Sequence, residues 1–291
     1  MAKQFCAFCA AALLILWAFQ GLSAELVNNV APQRLSRGCG APPPATAPDH
    51  VTLDGAARGL IVAVPEGYGP DRPHSLVVAF HGRTNSNAEV RRYFGLEGQA
   101  AEPTIVVYPA SLKDSRGLNV WSDPGDPPDR LRDFRLFDAV LESMAASYCL
   151  DLGRVFVVGH SLGGSFANSL ACARGGVIRG LASVGGGSAR PKDCGGPVAA
   201  MVLHNPRDEQ VPLSEALRLR RSLLAQDGLP TGSEPDEPHR FNCRRYGTEG
   251  ATNPVLWCPL ADDRTRNGRF YPHQWPQGVG AAIMAFFARL D

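Results

Sequence analysis

Arg154-Val155-Phe156-Val157-Val158-Gly159-His160-Ser161-Leu162-Gly163-Gly164 is the stretch on which the reading of this chain turns. Its first five residues, three of them Val, predict a strand buried on both faces. The small residues from Gly164 to Ala173 predict a helix directly after it. Between the two stands Gly159-x-Ser161-x-Gly163, a G-x-S-x-G pattern in the strand–turn–helix setting that it needs. A serine in such a turn takes strained backbone angles and has its hydroxyl lifted out of the sheet. The glycines two before and two after it let strand and helix approach closely. The N–H of Leu162 is then aimed at negative charge developing beside the hydroxyl.

Working outward, further short apolar runs predict strands over 60–64, 76–80, 105–108, 181–184, 199–204 and 255–257. Helical spacing of apolar residues predicts helices over 131–148, 165–173, 213–225 and 279–290. Alternation of this kind implies an α/β fold: one mostly parallel central sheet with helices on both faces, in a single domain.

The ends and totals set the frame. Lys3, an apolar stretch from Phe5 through Phe19 and Leu22-Ser23-Ala24 read as a signal peptide over 1–24. Residues 25–49, with Pro42-Pro43-Pro44 and Pro48, read as an extended lead-in, and 50–291 as the catalytic domain. The expected location is secreted or periplasmic, with no membrane span in the mature chain. A formal net charge of +1 over 291 residues, without runs of Lys or Arg, gives no reason to expect nucleic acid. The mature chain keeps Cys39, Cys149, Cys172, Cys194, Cys243 and Cys258 with no C-x-x-C pair, so disulfides are expected rather than a metal. Short local loops favour Cys172–Cys194 and Cys243–Cys258, which leaves Cys39–Cys149.

A serine hydroxyl needs a base, and in this strand–turn–helix setting acid and base follow the serine in chain order. Of the later histidines, His204 precedes the acid candidates, and His239 sits in a polar surface loop, directly after its Pro-rich stretch over 232–238. His273, in Tyr271-Pro272-His273-Gln274-Trp275-Pro276, follows the last strand and precedes the C-terminal helix, where the base is required. The loop after the strand over 199–204 offers Asp208 as the acid, with Glu209 as competitor. Asp262 and Asp263 stand in a polar loop with no evident strand end. The strand over 76–80 runs into His81-Gly82-Arg83-Thr84, where the backbone of Arg83, with Thr84 next, is the expected second oxyanion donor. Trp121 and Trp275 are the expected frame of an acyl pocket, with Thr84 beside them.

These residues together resemble the secreted esterases related to feruloyl esterases and polyhydroxybutyrate depolymerases. The resemblance spans most of the mature chain and rests on Val77 through Asn87, Tyr148-Cys149-Leu150-Asp151, the Ser161 turn, the Asp208 loop and His273-Gln274-Trp275-Pro276. It implies an α/β-hydrolase fold and a Ser161–Asp208–His273 triad. It also implies cleavage of a small-molecule or polymer carboxylic ester through an acyl-enzyme, with no cofactor and no metal. The chain departs from the family pattern at Phe270-Tyr271-Pro272, at His204-Asn205-Pro206-Arg207 and at Ser161-Leu162-Gly163-Gly164, all around the pocket, and so bears on substrate. The competing readings are a polyester depolymerase and an inactive binding protein on the same fold. No member of the triad is missing, which speaks against the second.

Overall fold

A computed structural model describes residues 34–100, 102–127, 131–188, 191, 193–236 and 241–290. The expected signal segment, the first part of the lead-in and His239 lie outside them. The elements run β1 (His50–Leu53), β2 (Ala56–Ala63), β3 (His74–Phe80), α1 (Asn87–Phe94), β4 (Thr104–Pro109), β5 (Leu112–Lys113), β6 (Asn119–Val120), α2 (Arg132–Ser147), β7 (Leu150–His160), α3 (Leu162–Ala173), β8 (Gly180–Val184), β9 (Ala199–His204), α4 (Leu213–Gln226), β10 (Glu234–Pro235), β11 (Arg244–Tyr246), β12 (Val255–Pro259) and α5 (Val279–Ala288).

Among the described residues one sheet has the order β1-β2-β4-β3-β7-β8-β9-β12-β11-β10. Its centre, from β4 to β12, is parallel. Both edges are antiparallel. This is the α/β-hydrolase arrangement that the serine turn leads one to expect. The two-residue period of a strand divides its side chains between two cores. Leu76, Val78 and Phe80 pack with α2, α3 and α4, whereas Val77 and Ala79 pack with α1 and α5. Val155 and Val157 follow the first set, and Phe156 and Val158 the second. That two-sided burial is why the central strands read as unbroken apolar runs.

Six elements go beyond the expected set: β1, α1, β5, β6, β10 and β11. Helix α1 is short, but Ser86 and Glu89 form a reciprocal capping box at its start and Gly95 closes it at φ 61°. The strand β10 occupies part of the expected surface loop over 232–238, where Glu234 and Pro235 pair with Arg245 and Arg244. The described part of the lead-in is tied to the domain. Leu35 bridges to Asp151, the Ser36 N–H donates to the Leu150 carbonyl, and Cys39 is bonded to Cys149. The other two cross-links join Cys172 to Cys194 and Cys243 to Cys258.

The serine turn is packed against backbone. A Cβ on Gly159 would stand 2.2 Å from the Gly163 carbonyl oxygen, and one on Gly163 would stand 2.2 Å from that of Phe80. Both obstacles are backbone and cannot swing aside. Gly163→Ala should therefore destabilise by about 3 kcal/mol, measured as the urea midpoint. Gly69→Ala, where a Cβ meets nothing within 4 Å, should change stability by less than about 0.5 kcal/mol. Equal midpoints for the two variants would contradict this account of the turn.

Candidate active site

Ser161 stands between β7 and α3 at φ 57° and ψ −124°, one of three non-glycine residues at positive φ among those described. Its N–H donates to the Val184 carbonyl at the end of β8, 2.9 Å away. That bond, with the two glycines, holds the hydroxyl above the carboxyl ends of the strands. The loop after β9 brings Asp208, and the loop before α5 brings His273, to the same edge. Ser161 Oγ lies 2.7 Å from His273 Nε2, and His273 Nδ1 lies 2.5 Å from Asp208 Oδ2. A carboxylate only accepts, so Nδ1 carries the proton and Nε2 is left to accept from the serine hydroxyl.

Asp208 and His273 are buried. The free oxygen of Asp208 accepts the backbone N–H groups of Gln210 and Val211, at 2.9 and 3.0 Å. Burial opposes the charge on Asp208, but the hydrogen bonds from His273, Val211 and Gln210 outweigh it and hold the carboxyl below its usual range. Glu209, the competing acid, is exposed. Asp262 is also exposed, and Asp263 accepts from Asn205 and Arg207. His204 is buried and donates from Nε2 to the Val211 carbonyl, bracing the Asp208 loop from within.

The strand end at His81-Gly82 meets the serine from the other side. A Cβ on Gly82 would touch Cβ of Ser161 at 3.4 Å. His81 accepts the Ser111 N–H at Nε2, so its Nδ1 donates to the Gly82 carbonyl, 2.9 Å away. In a planar trans peptide the N–H of Arg83 points opposite to that carbonyl. Arg83 and Thr84 themselves are exposed.

The two tryptophans expected to frame one pocket line different cavities. Trp121 is buried, donates to the His81 carbonyl and stacks on Phe166 with centroids 5.2 Å apart. With Leu162, Phe166 and Val211 it lines a cavity of about 240 Å³ next to the serine turn. Trp275 stacks on Phe94 at 3.9 Å and packs against the other core. It lines a cavity of about 720 Å³ between the His273 loop and α1. The separation follows from strand-end geometry, which puts the two loops over opposite faces of the sheet.

Sequence reading alone passed over two features. Gly185, at φ 57°, and Gly186 follow β8. A Cβ on Gly186 would lie 2.4 Å from Ser183 Oγ, and one on Gly185 would lie 3.3 Å from the His273 ring. The run of three glycines from Gly185 to Gly187 was the available signal. The second is His160, whose ring lies 5.2 Å from that of His273 and whose Nδ1 is 3.3 Å from Tyr93 Oη.

No family model matches the chain. It is 30% identical over 201 residues to a probable feruloyl esterase C of Aspergillus flavus, covering 66% of this chain and 69% of that protein. It is 27% identical over 257 residues to feruloyl esterase C of Emericella nidulans, covering 85% and 87%. The fold is similar to that of an acetyl xylan esterase from Aspergillus awamori, with a TM-score of 0.55 at 15% identity over 79% of this chain and 94% of that one.

Burial sets the acid response of the fold. Burial, and then the neighbouring His273, push the His160 imidazole down to about 3. Burial also lowers His74, His81 and His204. In the unfolded chain these four histidines bind protons below about 6.5, whereas in the folded chain burial disfavours their protonation, so this part of the stability is present above that value and lost as pH falls. Asp227, pushed up to about 7 by burial, acts in the opposite sense but is a single group. The urea midpoint should accordingly fall as pH drops from about 6.5 to about 4. A midpoint that stays level or rises over that interval would count against it.

Proposed function

Because the chain belongs to the feruloyl esterase family and is a carboxylic ester hydrolase, we propose that it cleaves its ester through a covalent acyl-enzyme on Ser161. The observation that carries this reading is the relay of 2.7 and 2.5 Å from Ser161 through His273 to Asp208, with Ser161 held at φ 57°. His273 Nε2 takes the Oγ proton as Oγ bonds to the ester carbonyl carbon. The carbonyl oxygen becomes an oxyanion, which accepts from the backbone N–H groups of Leu162 and Arg83. Leu162 opens α3, so the positive end of the helix dipole adds to its N–H. The intermediate collapses, the carbon–alkoxide bond breaks, and the alkoxide leaves with the proton from His273. Water then repeats the sequence on the acyl group, with His273 taking the water's proton and returning it to Ser161.

Asp208 remains ionised throughout. It fixes the imidazole tautomer and stabilises the transient imidazolium. The cavity beside Trp121 and Leu162 is open to a planar acyl group such as a cinnamoyl ring, and the family supports a feruloylated sugar as the ester. Export supports the same reading. Three disulfides fit an oxidising compartment, and the segment over 1–24 has the pattern of a cleaved signal. Among the described residues no helix is long and apolar enough to cross a membrane.

Ser161→Ala should lower kcat on methyl ferulate by at least about 10⁴-fold, and adding His273→Ala should lower it little further, because the two act as a unit. A fluorophosphonate should label the wild-type chain at Ser161 and leave Ser161→Ala unlabelled. Retention of a tenth of wild-type turnover by Ser161→Ala would overturn the assignment.

A further inference from the structure

In the mechanism just given, His273 hands its proton to the departing alkoxide. The alcohol half of the ester must therefore lie on the His273 side of Ser161. The loop carrying His273 continues into Gln274 and Trp275, which line the cavity of about 720 Å³. Its aromatic floor is Trp275, half-buried on Phe94, beside the exposed ring of Tyr93. Flat aromatic surface of this kind suits the apolar face of a sugar ring.

The walls of this cavity are basic. Arg92, Arg264 and Arg266 line it, with Asp262 as the one lining carboxylate. Among the described residues neither Arg92 nor Arg266 is in an ion pair. Arg264 uses one nitrogen on the Gly268 carbonyl and keeps its other donors. The cavity on the Trp121 side has no such arginine lining. Asp123 and Glu215 line it, and Glu215 there pairs with Arg218. The whole chain has a formal net charge of only +1. The arginines are therefore a local concentration and not part of a generally basic surface. A carboxylate-bearing group is attracted to the arginine-lined side.

We infer that the cavity beside Trp275 binds the polysaccharide half of the substrate, and that this half is acidic, a chain bearing uronate carboxylates. The inference rests on the ester-cleavage reading above for its polarity, alcohol toward His273. Arginine is suited to it because its planar fork accepts a carboxylate through two parallel hydrogen bonds.

The test compares feruloyl esters of a neutral arabino-oligosaccharide and of an oligogalacturonide, with methyl ferulate as the small-ester reference. At low salt the KM for the acidic ester should be about tenfold below that for the neutral one, and the two should converge in 0.5–1 M NaCl, on the order of the salt that screens exposed charge. Arg92→Ala with Arg266→Ala should bring the acidic-to-neutral KM ratio to about one, and the corresponding lysine variants should restore part of the preference. Urea midpoints of the variants report whether they fold. Equal KM values for the two esters at low salt, or an arginine effect of the same size on both, would overturn the inference. Calorimetric binding of unesterified oligogalacturonide to Ser161→Ala reads the site without turnover. Binding there without methyl ferulate hydrolysis by the wild type would sink the ester reading and leave the site. Hydrolysis without binding would do the reverse.

Discussion

The backbone of Ser161 is held at φ 57° and ψ −124°, and the strain of such a conformation, about 1–3 kcal/mol, persists only where the surroundings over-determine it. Here they do so with backbone on every side. Gly159 lies against Gly163, Gly163 against the end of β3, and Gly186 against Gly164. The Ser161 N–H is tied to the end of β8. Three parallel strands and one helix thus meet at one residue. Close approach needs four positions without side chains, and the glycine-rich stretches at 159–164 and 185–187 supply them. The hydroxyl is positioned by main-chain contacts and not by its own rotamer alone.

The side chains around that turn are arranged by burial as much as by contact. Asp208 is enclosed, yet it keeps its charge because two backbone N–H groups and one imidazole satisfy it. His160 is enclosed with no comparable anion in contact, and it is held neutral. A neutral ring beside His273 adds no positive charge to compete with an imidazolium there. The same enclosure that suits the chemistry makes the fold sensitive to acid.

Much of this was legible in the chain. Central strands announce themselves because both faces are buried, and the order of Ser161, Asp208 and His273 along the chain narrows the candidates before any contact is known. What was hidden depends on geometry between distant segments. Trp121 and Trp275 look alike in sequence, but they hang from loops over opposite faces of the sheet. Helix α1 is only eight residues long, too short for its apolar spacing to stand out. Its capping pair, Ser86 and Glu89, was the better signal. The strand β10 contains a proline and reads as a loop until its partner β11 is seen. Glu209 and Asp208 are adjacent, and only the turn after β9, closed by the Asp208 N–H on the Asn205 carbonyl, decides which one faces inward.

The disulfide between Cys39 and Cys149 joins the lead-in to the residue just before β7. That strand carries Ser161 at its far end, and its pairing with β3 is irregular between His74 and Leu76. Irregular pairing is where a strand could slide along its neighbour, and a slide of one position exchanges its two faces. Valines meant for one core would then face the other, and Ser161 would leave its alignment with His273. A covalent anchor at the near end, with the Asp151 bridge beside it, removes that freedom, so the oxidation state of two sulfurs at the base of the strand bears on the alignment at its tip.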